Sequence, residues 1–329
     1  MKHRILVLRF SAFGDVAMTI PVIREFVQQN PKVEIIYVSR EKFKDLFDDI
    51  PNFTFYPADL DGKHKGILGL YRLSKELKSL GITEVADLHN VLRTKIIRKF
   101  LSHPKTAMLD KARNERRALV RKENKVRKQL KPMVERYADV FRELGFEFEL
   151  KHQLPESSIN KENAIGIAPF AMYEGKMYAL DKMLTVALNI AEKGVKVYLF
   201  GGKKESEILE SWEKLNPNIQ SIAGKFDLKT ELEIIRKIKL MVSMDSANMH
   251  LASLVGTRVI SIWGNTHPFM GFLGYGQSWD DVIQDESMEF RPTSVFGKEP
   301  KNAEKIDYFQ NISSDSVIDK IVMALEEMN

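Results

Sequence analysis

The sequence contains no cysteine. Disulfide bonds, thiolate zinc sites and cysteine nucleophiles are therefore excluded. Long apolar runs are also missing, since the longest, such as residues 165–172, fall far short of the roughly 20 residues that span a bilayer as a helix. The N-terminus runs from Met1 directly into a strand-like apolar pattern, without the apolar core or cleavage site of a signal peptide. We expect a cytoplasmic protein.

The composition is that of a folded protein. Apolar residues make up 44% of the 329 residues and charged residues 29%, which is ordinary for globular domains. A chain of this length exceeds one ordinary hydrophobic core and suits two α/β domains.

Positive charge is concentrated in one segment, which we term the basic segment (residues 105–131). It holds eleven Lys or Arg against three acidic residues, whereas the formal net charge of the whole chain is only +5. A local excess of this size favours an anionic partner. The alternative is a solvated basic helix without a specific ligand.

Short β-branched runs alternate with amphipathic stretches along the chain, which predicts repeated βα units on parallel sheets. The run Ile5–Leu8 is wholly apolar and predicts a strand buried on both faces. Residues 16–29 predict one helix, and residues 314–328 predict a final helix. The polar stretch 147–162 contains Pro155 and marks the boundary between domains at 1–150 and 151–329.

The first candidate site is the turn Ser11–Asp15, which follows the first strand. In open α/β sheets, ligands bind beyond the carboxyl ends of the strands. The dinucleotide fingerprint G-x-G-x-x-G is absent, because Gly14 stands alone. Asp15 is either a catalytic carboxylate or a helix cap.

Two later turns repeat this arrangement of strand end and helix start. In the first, Asp245 is either a ligand of sugar hydroxyls or a cap, and the backbone N–H groups of Ser246 and Ala247 could bind a diphosphate. His250 in the same stretch is interpreted as structural. The second turn, residues 263–268, contains Thr266, which is suited to close approach of a phosphate; a plain turn is the alternative.

Two weaker signals complete the candidates. Lys176 lies on a glycine-flanked loop, where a cation could meet a leaving diphosphate, although surface lysines are common. Asp59 and Asp61 match the D-x-D of metal-dependent glycosyltransferases, but we interpret them as a solvated turn beside Gly62 and predict no metal site.

Taken together, these stretches resemble glycosyltransferase family nine, which includes the lipopolysaccharide heptosyltransferases. Residues 5–16 with Thr19–Pro21 are similar to the opening of the family. Residues 245–252 and 263–268 are similar to its C-terminal signature, and residues 87–94 match an internal stretch. The resemblance covers essentially the whole chain in the same order.

The resemblance implies a GT-B architecture of two Rossmann-like domains facing a central cleft, with the acceptor bound by residues 1–150 and the nucleotide sugar by residues 151–329. It leaves the final helix free to pack back on the first domain. It also implies an inverting, metal-independent transfer from a nucleotide-diphosphate sugar, ADP-heptose in characterised members, to a hydroxyl of a lipopolysaccharide core-type acceptor. No cofactor is implied, and we expect a monomer.

The family's functional residues are carried over by position. Asp15 matches the general base and Lys176 the lysine at the diphosphate. The implied donor-binding residues are Asp245 at the sugar, Ser246, Ala247 and Thr266 at the phosphates, Glu205 (or Glu207) at the ribose and Phe226 at the adenine. The sequence departs from the family at Met177 and Ala247, which leaves the donor sugar more open than the donor site.

The basic segment has a place in this scheme, because the family's acceptor is an anionic glycolipid at the cytoplasmic membrane face. The predicted acceptor-binding residues are Lys63, Lys65, Arg93, Arg117 and Arg121. The alternatives are another nucleotide-sugar enzyme of this fold, such as an epimerase, and a non-enzymatic nucleotide- or nucleic-acid-binding protein. No aromatic residues interleave with the cations, so we expect no nucleic-acid partner.

Overall fold

The computed structural model describes residues 3–102, 105–156, 159–299, 302 and 305–328. These form two compact units. Unit 1 comprises Met1–Lys111 and Met133–Lys151, and unit 2 comprises Ala112–Pro132 and His152–Asn329.

The strands are β1 (His3–Leu8), β2 (Val33–Ser39), β3 (Phe53–Pro57), β4 (Glu84–Asp87), β5 (Thr106–Met108), β6 (Glu162–Ala168), β7 (Lys196–Leu199), β8 (Ile219–Ser221), β9 (Ile238–Met244), β10 (Arg258–Trp263) and β11 (Val282–Gln284). The helices are α1 (Phe13–Ala17), α2 (Thr19–Gln29), α3 (Gly66–Lys78), α4 (Leu92–Leu101), α5 (Arg113–Val120), α6 (Met133–Glu143), α7 (Leu180–Glu192), α8 (Ser206–Glu213), α9 (Leu228–Lys237), α10 (Ala247–Leu254) and α11 (Ser314–Glu326).

Unit 1 is built on a parallel sheet in the order β3-β2-β1-β4-β5. The apolar run Ile5–Leu8 lies in the central strand and is fully buried, which confirms the prediction from its lack of alternation. The strand order reverses between β1 and β4. This reversal is the switch point at which ligands bind in open α/β sheets.

The helix predicted over residues 16–29 is two helices. α1 ends at Ala17 and α2 begins at Thr19. Pro21 has no N–H to donate to the carbonyl of Ala17, so it is accommodated in the first turn of a new helix. The break leaves α1 as a single short turn directly after the candidate site at Ser11–Asp15.

Unit 2 contains a second parallel sheet in the order β11-β10-β9-β6-β7-β8. Renumbered from β6, this is the 3-2-1-4-5-6 order of the dinucleotide-binding fold. Its switch point lies between β6 and β9, which pair along Ile165–Ala168. The two sheets confirm the predicted α/β class with GT-B-like, Rossmann-like sheets.

The final helix packs within unit 2. α11 lies against α7, and its apolar stripe of Val317, Ile321 and Leu325 joins the core beneath this sheet. Its packing partner is therefore a helix of its own unit.

The basic segment divides between the two units, which corrects its assignment to the first domain. Residues 112–132 are grouped with unit 2 because their apolar side chains pack there: Leu119 and Leu130 form a buried cluster with Met270. The guanidinium of Arg116 lies 4.7 Å from the ring centroid of Phe272. In addition, the backbone N–H of Leu130 donates to the carbonyl of Phe269 at 2.8 Å.

No helix in the described ranges has the length and apolarity needed to cross a membrane.

The packing of the basic segment generates a stability prediction. Leu119→Ala should lower the free energy of unfolding of unit 2 by about 2–5 kcal/mol, because a fully buried leucine leaves a cavity. Amide hydrogen exchange should accelerate at Leu130 and residues 269–272, while β1 and β2 keep their protection. Leu73→Ala, at an equally buried position of unit 1, is the matched control and should show the reverse distribution. Faster exchange in β1 of the Leu119 variant would contradict the assignment.

Candidate active site

Three predicted donor-site residues meet at the switch point of unit 2. The Nζ of Lys176 lies 2.9 Å from Oδ2 of Asp245, and both side chains are largely buried. The hydroxyl of Thr266 donates to the same Oδ2 at 2.8 Å. Lys176 follows β6, Asp245 follows β9 and Thr266 follows β10, so residues distant in sequence converge because parallel strands end at one edge.

The turn that carries Thr266 is held from behind by a buried arginine. Arg291 is 1% exposed, and its guanidinium donates to the carbonyls of Trp263 and Thr266, each at 2.9 Å, and to that of Gly264. Burial lowers the pKa of Arg291 to about 10, against the opposing charges of Glu286 and Asp285. Three carbonyls bound on one side fix the backbone of the turn.

A second loop, which contains Gly297, packs closely against the side chain of Lys176. The backbone of Gly297 has a φ of +91°, and a Cβ there would lie 2.2 Å from Cδ of Lys176. The side-chain amide of Asn265 donates to the carbonyl of Gly297 at 2.8 Å. The backbone N–H of Asn265 donates to the carbonyl of Gly175 at 2.7 Å. Lys176 is therefore held between the turn and this loop.

The start of α10 lies directly beside the ion pair. Ser246 is the residue before the helix, with extended backbone, and Ala247 is its first residue. First-turn N–H groups have no acceptor within their own helix and favour anions. The structure thus brings the predicted phosphate-binding amides next to Asp245.

The predicted ribose and adenine residues lie further along the same edge. From β9 the sheet continues through β6 and β7 to β8, so residues after these strands follow one another in the order Asp245, Lys176, Glu205 and Phe226. Three strand spacings amount to about 14 Å. A Cβ on Gly202 would lie 2.8 Å from the carboxylate of Glu205, which fixes that side chain at the strand end.

Glu207, the alternative to Glu205, is the second residue of α8 and is exposed. Phe226 is 44% exposed directly before α9. The edge of unit 2 therefore presents a half-buried carboxylate and an exposed aromatic ring beyond the ion pair.

The switch point of unit 1 holds a second ion pair, between a buried arginine and a partly exposed carboxylate. Nη2 of Arg9 lies 2.7 Å from Oδ2 of Asp15, with side-chain exposures of 6% and 30%. Nη1 of Arg9 donates to the carbonyl of Leu88, just beyond β4, at 2.7 Å. The arginine thus spans the reversal in strand order and fixes the carboxylate to it.

The contacts of Asp15 bear on both of its predicted roles, helix cap and catalytic carboxylate. Oδ2 accepts the N–H of Ala12 at 3.2 Å, as a helix cap would. Oδ1 receives no hydrogen bond from the described residues. One oxygen is therefore committed to structure, while the other has no partner within the described chain.

The residues around the Arg9–Asp15 pair favour a charged Arg9 and a neutral His89. Burial alone would lower the pKa of Arg9, but Tyr137 and Asp15 raise it above its usual value. Burial, together with the charge of Arg9, lowers the pKa of His89 to about 3. His89 is therefore neutral at neutral pH, and its Nδ1 accepts the N–H of Phe10 at 3.3 Å.

Unit 1 also contains a pocket of about 830 Å³ at the carboxyl ends of β2 and β3, lined in part by Arg40, Tyr56 and Lys63. Lys63 pairs with Glu76 at 2.6 Å, and Tyr56 donates to the same carboxylate at 2.6 Å. Burial would raise the pKa of Glu76, but the bonds from Lys63 and Tyr56 lower it to about 2. Lys63 is thus at a polar pocket with its charge already partnered.

The two aspartates of the D-x-D stretch line this pocket with separate roles. Asp59 accepts the N–H groups of Gly62 and Lys63 at 2.9 and 2.8 Å, and Asp61 pairs with Arg40. These contacts are those of a closed turn.

The other predicted acceptor residues are exposed and belong to different units. Lys65 and Arg93 precede and begin α3 and α4 in unit 1. Arg117 and Arg121 lie in unit 2, in α5 and directly after it. The expectation that all five belong to one domain is wrong, because the apolar anchors of α5 pack on unit 2.

Sequence reasoning missed the supporting residues. Arg9 had a signal, since a charged residue ends an otherwise apolar strand. Arg291 and Gly297 had no such signal in the sequence. They lie more than 100 residues after Lys176, and no local sequence pattern indicates a contact over that distance.

Two parallel sheets in Rossmann order, with charged groups at both switch points, define a GT-B-like protein. The family model for glycosyltransferase family 9 (heptosyltransferase) matches residues 70–282. The chain belongs to this family and is a glycosyltransferase.

Curated relatives agree over most of their length. The chain is 25% identical to the lipopolysaccharide core heptosyltransferase OpsX of Haemophilus influenzae, over 80% of this chain and 79% of that protein. It is 26% identical to lipopolysaccharide heptosyltransferase 1 of Campylobacter coli, over 80% and 84% respectively.

Solved structures share the fold. A family 9 glycosyltransferase from Veillonella parvula matches with a TM-score of 0.74 at 20% identity, covering 99% of this chain and 98% of that one. The ADP-heptose heptosyltransferase II of E. coli matches with a TM-score of 0.72 at 19% identity, covering 99% and 100%.

The contact between Gly297 and Lys176 generates a sharp prediction. Gly297→Ala should displace Lys176. If this lysine faces the diphosphate as predicted, the transfer rate should fall by about tenfold to a hundredfold, because the cation would no longer meet the developing charge. Gly194→Ala is the matched control: its φ is +79°, but no atom lies within 4 Å of the added Cβ. It should cost about 1 kcal/mol of stability and leave transfer unchanged. Equal rates for the two variants, measured at the same folded fraction, would contradict the positioning role.

Proposed function

We propose that this glycosyltransferase is inverting and metal-independent, and that it transfers a heptose from ADP-heptose to a hydroxyl of a lipopolysaccharide core-type acceptor. The observation that carries the proposal is the buried Lys176–Asp245 pair, bonded to Thr266, at the switch point of unit 2. The names of the relatives support the choice of donor and acceptor. Membership of the family favours transfer over epimerisation or simple nucleotide binding.

The proposed position of the nucleotide-sugar donor is based on the order of side chains along the edge of the sheet in unit 2. Asp245 would hold the donor sugar through Oδ1, since Oδ2 is occupied by Lys176 and Thr266. The diphosphate would lie at Lys176 and the amides of Ser246 and Ala247. Glu205 would accept a hydrogen bond from a ribose hydroxyl, and the exposed ring of Phe226 would stack on the adenine.

The transfer step is a single displacement. The acceptor oxygen forms a bond to the anomeric carbon while the bond from that carbon to the diphosphate oxygen breaks, and its electron pair leaves with ADP. The proton of the acceptor hydroxyl passes to Oδ1 of Asp15. Lys176 stabilises the charge that develops on the diphosphate, so its interaction is stronger in the transition state than in the ground state.

Arg9 is the positioning residue for the base. It occupies Oδ2 of Asp15 and the carbonyl of Leu88, so the carboxylate is held in one orientation before substrate arrives. A preoriented base avoids the entropic cost of ordering it during the reaction.

The acceptor is proposed to be anionic and to be held by exposed cations, with Lys63, Lys65, Arg93, Arg117 and Arg121 as the candidates. Lys63 lies at the pocket beyond the carboxyl ends of β2 and β3, whereas Arg117 and Arg121 belong to unit 2. We further propose a monomer that contacts the cytoplasmic face of the membrane peripherally, where such an acceptor would be anchored.

The decisive experiment for this function is Asp15→Asn, assayed with ADP-heptose and a lipopolysaccharide core acceptor in the presence of EDTA. The wild type should remain active with EDTA. The variant should lose about a hundredfold to ten-thousandfold in kcat, the range for removal of a general base. Binding of the donor, followed by calorimetry, should be unchanged because Asp15 lies in unit 1.

Asn keeps the shape of the side chain and can still accept the N–H of Ala12, but it leaves the buried guanidinium of Arg9 without its carboxylate. Thermal unfolding of the variant therefore accompanies the assay, and rates are compared at the same folded fraction. Asp59→Asn, a carboxylate of unit 1 that only closes a turn, is the matched control and should transfer normally. Near wild-type transfer by Asp15→Asn would refute the base, and loss of wild-type activity in EDTA would refute metal independence.

The role of the basic segment is tested by reversing charge at Arg117 and Arg121 together. Loss of two cations should raise the KM for the anionic acceptor by about tenfold, with the difference shrinking at high salt. The KM for the donor should not move. Reversal at Lys214 and Lys237, two exposed lysines of unit 2, is the control. An equal loss of affinity for both substrates would contradict a role in acceptor binding.

A further inference from the structure

The first two turns of α3 and the first residue of α4 carry large apolar side chains that face solvent. The exposed fractions are 65% for Ile67, 83% for Leu68, 48% for Tyr71 and 74% for Leu92. We term these four residues the helix-tip patch.

The helix-tip patch is not a displaced part of the core. α3 already buries a complete stripe of Leu70, Leu73 and Leu77, and α4 buries Ile97 and Leu101. Folding of unit 1 therefore does not use the four exposed side chains. Large exposed apolar groups that cluster, unlike scattered ones, mark interaction surfaces.

Topology places the four side chains at one end of unit 1. α3 follows β3 and α4 follows β4, so both helices begin at the carboxyl edge of the parallel sheet. The two helices pack against each other, and the ring of Tyr71 contacts that of Phe100 edge to face at 5.2 Å. The same edge carries Asp15 and Arg9.

The charge around the patch identifies its partner. α4 contains four Lys or Arg and no acidic residue between Leu92 and Leu101. Exposed cations lie on the same two helices or directly before them: Lys65, Arg72, Lys75, Arg93, Lys95 and Lys99. Exposed apolar side chains that share their helices with cations fit the boundary between acyl chains and anionic headgroups, where lysine and arginine stems also lie well.

We propose that the helix-tip patch is the membrane-docking surface of this protein, inserting into an anionic phospholipid bilayer. Leu68 and Ile67 enter the acyl boundary, while Lys95 and Lys99 remain at the headgroups. The proposal deepens the proposed function, on which it rests, because docking through this edge would bring the base of unit 1 to a membrane-anchored acceptor. It assigns insertion to unit 1, separately from the basic segment of unit 2.

The test is cosedimentation with vesicles of phosphatidylglycerol and phosphatidylcholine, or of phosphatidylcholine alone. The wild type should bind the anionic vesicles and release at high salt. Leu68→Ser should weaken the partition by about tenfold, the value of one buried leucine. Charge reversal at Lys95 and Lys99 should weaken it by a similar factor on anionic vesicles only.

The matched control is Leu215→Ser. Leu215 is 58% exposed but follows α8, which carries three glutamates and no cation, so its loss should not change binding. Thermal unfolding of each variant verifies the fold, and transfer to a water-soluble acceptor fragment should be unchanged in Leu68→Ser. Vesicle binding does not depend on the sugar donor, so the two proposals fail separately. Protein that transfers the sugar but does not bind vesicles would overturn only the docking proposal. Protein that binds vesicles but does not transfer the sugar would overturn only the proposed transfer.

Three results would overturn the docking proposal. Wild-type protein could fail to bind anionic vesicles, or Leu68→Ser could bind like the wild type while charge reversal at Arg117 and Arg121 abolishes binding. Sedimentation could instead show a dimer in solution that Leu68→Ser dissociates, which would make a second copy the occupant of the patch.

Discussion

The ion pair between Lys176 and Asp245 is the interaction on which the arrangement of the donor half depends. It joins the loops after β6 and β9, the two strands between which the sheet reverses its order. Largely buried charges must be paired and further bonded to be tolerated, and Thr266 supplies that bond. Arg291, Asn265 and Gly297 can be understood as supports of this pair, because each fixes the backbone around one of its members.

Unit 1 also has an ion pair at the point where its sheet reverses strand order, formed by different residues. The buried Arg9 and the partly exposed Asp15 form a second ion pair across a second reversal of strand order. In unit 2 the cation would face a leaving group, whereas in unit 1 the carboxylate keeps an oxygen without a partner among the described residues. The two units thus share a sheet topology and an ion pair at the switch point, and under the proposed function they would offer opposite charges to the substrates. This difference favours a transfer reaction, which needs both a base and a stabiliser of negative charge.

The sequence predicted what depends on local pattern. β1 was predicted because the unbroken apolar run Ile5–Leu8 identifies a strand buried on both faces. β5 and β11 were missed because each has only three residues at an edge of its sheet, too few for any periodicity. The break at Met18 was overlooked because the apolar stripe continues past it, although Pro21 was a visible signal.

The basic segment shows why charge alone does not assign a residue to a domain. Its cations are exposed and carry no information about what lies beneath them. Leu119 and Leu130 decide its position by burying themselves against Met270, far along the chain. By contrast, the helix-tip patch combines apolar side chains with cations at an edge that the strand order defines independently. A surface of that kind can be assigned because two separate forces, burial and charge, select the same partner.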